Sequence, residues 1–211
     1  MKSVCFSLAL TTLIAAAAVS AASIDMNDPK RSLGREDDVR VDAQLVRDVV
    51  SPGSPVGITY QIENLSDSSI AIASKVADAS YDEDSRTISL HVGAEVPPDE
   101  FMPQMIVIAP GEKKVLQAGA TPSLRAASVR AAFAAIPRFV QVKVAILRDL
   151  RPFAKLIEKQ DGRTKQRLTD EQFDQWFTSN DTIYLNTVPV RYEPNTSTTA
   201  ADAEKRTTGG L

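Results

Sequence analysis

The residues whose types could support chemistry lie close together: the chain's one histidine, His91, and a run of carboxylates just before it. A Ser-His-Asp nucleophilic site needs the histidine between a serine and a carboxylate. In RTISLHV, however, His91 alternates with Thr87 and Ser89 onto one face, opposite Ile88 and Leu90. That pattern puts the imidazole on the wetter side of a sheet as a surface group. Asp78, Asp82 and Asp84 crowd the polar break DASYDEDS. They are the candidate metal ligands, for calcium, which takes roughly six to eight oxygens. Their spacing departs from the EF-hand pattern and lacks its central glycine. Glycoside hydrolysis asks only for two suitably spaced carboxylates. The loop around Asp82 therefore also carries an alternative reading, a carbohydrate-binding module or a carboxylate-dependent glycan-active enzyme. A zinc site of several histidines is excluded by count, and the nine glycines are scattered as turn formers rather than gathered into a phosphate loop.

Charge is unevenly spread along the chain. Its formal sum is only −3, yet Thr121 to Arg167 holds 11 basic and 3 acidic residues, while the flanking sequence is acidic. Such an island can mark a surface for an anionic partner, or it can complement the protein's own acidic loops. Nucleic acid is disfavoured, because Arg163-Thr164-Lys165-Gln166-Arg167 lacks the aromatic interleaving of single-strand binders. Arg148, Arg151 and Lys155 are the candidate partner-binding residues, for an envelope or secreted protein.

Positioning these groups falls to strands. Ile58, Tyr60 and Ile62 alternate with Thr59, Gln61 and Glu63, and Ile88, Leu90 and Val92 repeat the pattern. Val39, Val41, Ala43 and Leu45 predict a first strand, and SSIAIASKVA over 68–77 another. Residues 102–108 and 112–118 read as two neighbouring strands joined at Pro110-Gly111. FVQVKVAIL over 139–147 is the strongest run, its four β-branched residues suited to the centre of a core. Residues 122–133 fit a helix, a loop or a strand edge. Near the C-terminus, Pro152 starts a short helical turn with Phe153, Leu156 and Ile157. Thr169 with Gln172 forms a capping box for a helix over 170–178 carrying Phe173, Trp176 and Phe177 on one face. A last strand is expected around 184–190, with Pro189 at a bulge or edge. The expected fold is all-β, an immunoglobulin-like antiparallel β-sandwich with one or two short C-terminal helices. That expectation rests on the number of strand-like runs, since no Cys-Trp-Cys framework is present.

The ends have different characters. Lys2, the apolar run CFSLALTTLIAAAAV and the small residues of Val19-Ser20-Ala21 read as a secretory signal over 1–21, too short and wrongly flanked for a membrane span. Its removal takes away Cys5, the only cysteine, and leaves a chain without thiol chemistry or a transmembrane segment. Residues 22–38 read as an extended lead-in, 39–193 as the β-domain with helical additions, and 194–211 as a disordered tail. Asn64-Leu65-Ser66 and Asn195-Thr196-Ser197 match the glycosylation acceptor pattern. The function expected is that of an exported, non-catalytic interaction or assembly-accessory protein, periplasmic or secreted. It would bind its partner through sheet edges and a basic surface.

Overall fold

The computed structural model describes residues 24–25, 27–124 and 136–194. The signal segment, most of the undecided 122–133 stretch, Asn195 and the tail from 195 lie outside the described residues. The fold is mostly β-strand, with two short helices near the C-terminal end. In chain order the strands begin with β1 (Arg31–Glu36), β2 (Val39–Leu45), β3 (Val49–Val50), β4 (Val56–Asn64), β5 (Ile70–Ile72), β6 (Ala77–Asp82) and β7 (Thr87–Val92). They continue with β8 (Ile106–Ile108), β9 (Lys113–Ala120) and β10 (Phe139–Leu147). After a 3₁₀ turn at Arg151–Phe153 come helices α1 (Ala154–Glu158) and α2 (Asp170–Ser179). The chain then closes with β11 (Asn180–Tyr184), β12 (Val188–Pro189) and β13 (Arg191–Tyr192).

Alternation decides the main core. In β4 every second residue is buried, as are Ile88, Leu90 and Val92 in β7 and Val140, Val142, Val144 and Ile146 in β10. One sheet has the order β1-β2-β4-β9; the larger runs β6-β7-β10-β5-β8, with β11 and β12 also on β10. The inward faces of both contribute to one hydrophobic cluster. β5 and the end of β10 read as continuous apolar runs because both faces are covered. Ile70, Ile72 and Ile146 face the main core, whereas Ala71 and Leu147 belong to a second cluster with Phe153, Leu168 and Trp176. The helices therefore form an outer layer on part of the larger sheet.

Several pairings differ from expectation. The sheet is not purely antiparallel: β10 runs parallel to β7, and β13 parallel to β3. β8 and β9 are not partners, because β8 joins β5 and β9 joins β4, one in each sheet. The lead-in is partly strand, since β1 pairs with β2 along its length. Gly34 is what lets β1 approach the other sheet, as a Cβ there would lie 2.9 Å from the Tyr184 carbonyl oxygen. The last strand is broken into β11, β12 and β13, with Pro189 opposite Phe139 at a strand end. Asn64, which matches the glycosylation acceptor pattern, is fully buried, and its side-chain nitrogen donates to the Ser68 and Ile108 carbonyls. That nitrogen is not available for glycosylation in the folded chain.

Candidate functional site

The carboxylates of the first candidate site are spread along a hairpin. Asp78 lies in β6 opposite His91, and Asp82 at the other end of the same strand opposite Thr87. At roughly 3.4 Å of rise per residue the two are about 14 Å apart. The sequence break over 78–86 is thus half strand, because Ala79 and Tyr81 turn inward while the acids and Ser80 turn out. Asp82 does local work: its carboxylate accepts from the Asp84 amide at 3.0 Å and the Ser85 hydroxyl at 2.8 Å, closing the hairpin turn. Those bonds, Ser85's foremost, hold its pKa below the ordinary carboxylate value. A glycosidase acid needs the opposite shift. Among the described residues no group of three acids, histidines or cysteines is placed to hold a metal ion, so Asp78, Asp82 and Asp84 do not converge as a calcium site. His91 sits on the outer sheet face with Nδ1 3.9 Å from Glu95.

The three basic candidates fare differently from one another. Arg148 is committed to the fold: its Nε donates to Asp181 at 2.6 Å, and Nη2 reaches the Glu36 carbonyl. It ties the end of β10 to β11 and to the β1–β2 turn. Arg151 is exposed but engaged by its neighbour Asp149 through both carboxylate oxygens. The Arg151 side chain and amide hold the Asp149 carboxyl down at about 2. Both arginines border a surface hollow of about 570 Å³ with Ser68 and Ser69, but each already has its counter-charge. Lys155 alone of the three is exposed without a carboxylate partner among the described residues.

A better-built site lies nearby, where 98–105 crosses 160–168. Phe101 pairs antiparallel with Arg167, the Met102 amide donates to the Gln166 carbonyl at 2.8 Å, and the Leu168 amide donates to Glu100 at 2.9 Å. Gln160 locks the crossing: its Nε2 donates to the Pro103 carbonyl at 2.7 Å, and its Oε1 accepts from the Met105 amide at 2.9 Å. The backbone bends sharply on both sides, with positive φ at Asp99, Glu100 and Gly162. Two consecutive non-glycine residues in that region are strained, and such strain needs firm surroundings to persist. Here Glu100 is held by its ion pair to Arg167.

Between the two segments is a cleft of about 260 Å³ with Val76, Phe101 and Met102 in its wall and Arg163 and Lys165 on its rim. The Lys165 ammonium stands 5.7 Å from the Phe101 ring centroid, a cation–π distance. Lys155 and Lys159 precede the cleft, one helical turn apart, so they share a face. Lys155, Lys159 and Arg163 have no carboxylate partner among the described residues. The cleft was invisible in sequence because its walls come from positions some sixty residues apart, joined by the Phe101–Arg167 pairing and the Gln160 bonds.

Helix α2 formed as its capping signal predicts: Thr169 accepts from the Gln172 amide, and the Gln172 side chain accepts from the Thr169 amide. Of its aromatic stripe, Trp176 is buried, stacked edge-on to Phe153 at 5.5 Å, and donates to the Ala94 carbonyl at 3.1 Å. Phe177 stays exposed. No helix among the described residues is long and apolar enough to cross a membrane. No family model, curated protein or solved structure matches the chain.

Proposed function

We propose that the chain is an exported, non-catalytic accessory protein of a bacterial envelope, periplasmic or secreted, which binds a protein partner through the basic side of its helical layer. One observation carries the reading: Arg163 and Lys165, neither paired with a carboxylate among the described residues, line a cleft with an apolar wall, and Lys155 and Lys159 precede it in the chain. Solvated cations on a surface with nothing apolar beside them steer encounters but hold little. Cations bordering an apolar recess supply both steering and an anchor. On this reading the two stacked sheets are an immunoglobulin-like sandwich serving as scaffold, and recognition resides in 98–105 and 155–166. The apolar N-terminal run followed by Val19-Ser20-Ala21 supports export. The glycan-directed alternative draws less support, since the Asp82 carboxylate is consumed by its own turn.

A photo-crosslinking side chain placed at Thr164 in the exporting cell tests the reading, with a second placed at Gln117 on the exposed face of β9 as control. The expected result is one mass-identified partner crosslinked from 164, lost in the Arg163→Glu background. Equal crosslinking from both positions, indifferent to that charge reversal, contradicts it.

A further inference from the structure

We infer that the cleft between 98–105 and 160–166 seats an extended acidic segment of the partner, with one apolar side chain on the Val76–Phe101–Met102 wall and carboxylates on Arg163 and Lys165. This rests on the protein-binding reading above and names the chemistry of the ligand. Size is the first argument. At about 260 Å³ the cleft falls below the roughly 300–1,000 Å³ of small-molecule sites, and suits one or two side chains of a longer ligand lying across it.

Charge is the second. Of the acids nearby, Glu100 is spent on Arg167, and Asp161 accepts from the Arg163 and Thr164 amides and the Thr164 hydroxyl. Asp99, exposed on the opposite rim, and Glu158, exposed between Lys155 and Lys159 at the end of α1, are the remaining carboxylates. Asp99 repels acids at its own end, so the ligand's carboxylates are directed to Arg163 and Lys165, the two cations that line the cleft. A single terminal carboxylate would engage one of these cations; Arg163 and Lys165 together match two, which favours an internal acidic segment. Rigidity is the third. The Gln160 bonds to Pro103 and Met105 fix the two walls beforehand, which lowers the ordering cost of binding. Because Lys165 stands over the Phe101 ring, a carboxylate drawn to it brings the adjoining apolar side chain onto the wall.

The probe is a fluorescein-labelled peptide of glutamates with one central leucine, titrated into the folded full-length mature chain by fluorescence anisotropy at low salt. Saturable binding is expected, weakened about tenfold or more by Arg163→Glu with Lys165→Glu, and several-fold when the peptide's leucine is replaced by serine. Arg151→Glu, which removes an already compensated cation, should leave affinity within about twofold. The peptide substitution is made on unaltered protein, so it is independent of any folding defect in a variant. Equal binding of the serine peptide overturns the proposed anchor, and indifference to the double charge reversal overturns the cationic seat. If the peptide fails to bind while crosslinking from Thr164 still depends on Arg163, the ligand chemistry is wrong and the partner-binding reading stands. If both fail, both are refuted.

Discussion

Replacing Asn64 should strongly destabilise the protein. The side chain is fully buried and uses its whole bonding capacity. Nδ2 donates to the Ser68 carbonyl at 2.8 Å and to Ile108 at 3.0 Å, while Oδ1 accepts from the Ser66 amide at 3.1 Å and the Ser66 hydroxyl at 2.7 Å. The Ile108 bond joins β4 of one sheet to β8 of the other, and the remaining three close the loop after β4. Each is worth about 1 kcal/mol net, and the carbonyls left behind add a desolvation cost. Asn64→Ala should therefore lose about 3–4 kcal/mol. With a urea m-value of about 2 kcal/mol/M, the unfolding midpoint falls by about 1.5–2 M. Asn64→Asp sharpens the test, because it keeps Oδ1 but turns a carboxylate oxygen toward two carbonyl oxygens. Its folded-state pKa is thereby raised above the unfolded value. The variant should be most stable below the unfolded carboxyl pKa and lose stability as pH rises through the folded one. Circular dichroism during urea unfolding at pH 4 and pH 7 reads both effects. An Asn64→Ala loss below about 1 kcal/mol would refute the reasoning.

Three further outcomes follow from the packing. Gly93 has φ of +89°, and a Cβ there would lie 2.3 Å from the Ala145 carbonyl oxygen. Gly93→Ala should cost about 3 kcal/mol or more, read from the unfolding of the only tryptophan, Trp176, whose Nε1 binds the adjacent Ala94 carbonyl. Tyr60 is fully buried, its hydroxyl has no hydrogen-bond partner among the described residues, and burial pushes its pKa up. Tyr60→Phe should accordingly be neutral or stabilising by about 1 kcal/mol in denaturant melts, and a loss of that size would mean the hydroxyl is satisfied. Arg148→Ala should lower stability by about 1 kcal/mol or less, with no effect on partner capture.

Strand faces could be read directly from the sequence. Ile58, Tyr60 and Ile62, and the four β-branched residues of β10, are buried as their alternation predicts. The capping box at Thr169 and Gln172 also formed, because all its groups are local. Pairing was not readable. Alternation is the same in parallel and antiparallel ladders, so nothing in FVQVKVAIL announced that β10 would run parallel to β7. β1 was missed since RSLGRE has little apolar content, and its strand depends on pairing with β2 and on Gly34 meeting β11. The basic island was visible as composition, but composition could not separate Arg148, neutralised by Asp181, from Arg163, which stands on the cleft rim. That distinction depends on long-range geometry.

The most direct test of the central claim compares partner capture by the folded chain, its Arg163→Glu variant and its Arg148→Ala variant, using the partner identified by crosslinking from Thr164. The account predicts that capture is lost with Arg163→Glu and retained with Arg148→Ala. Retention with Arg163→Glu and loss with Arg148→Ala would contradict it.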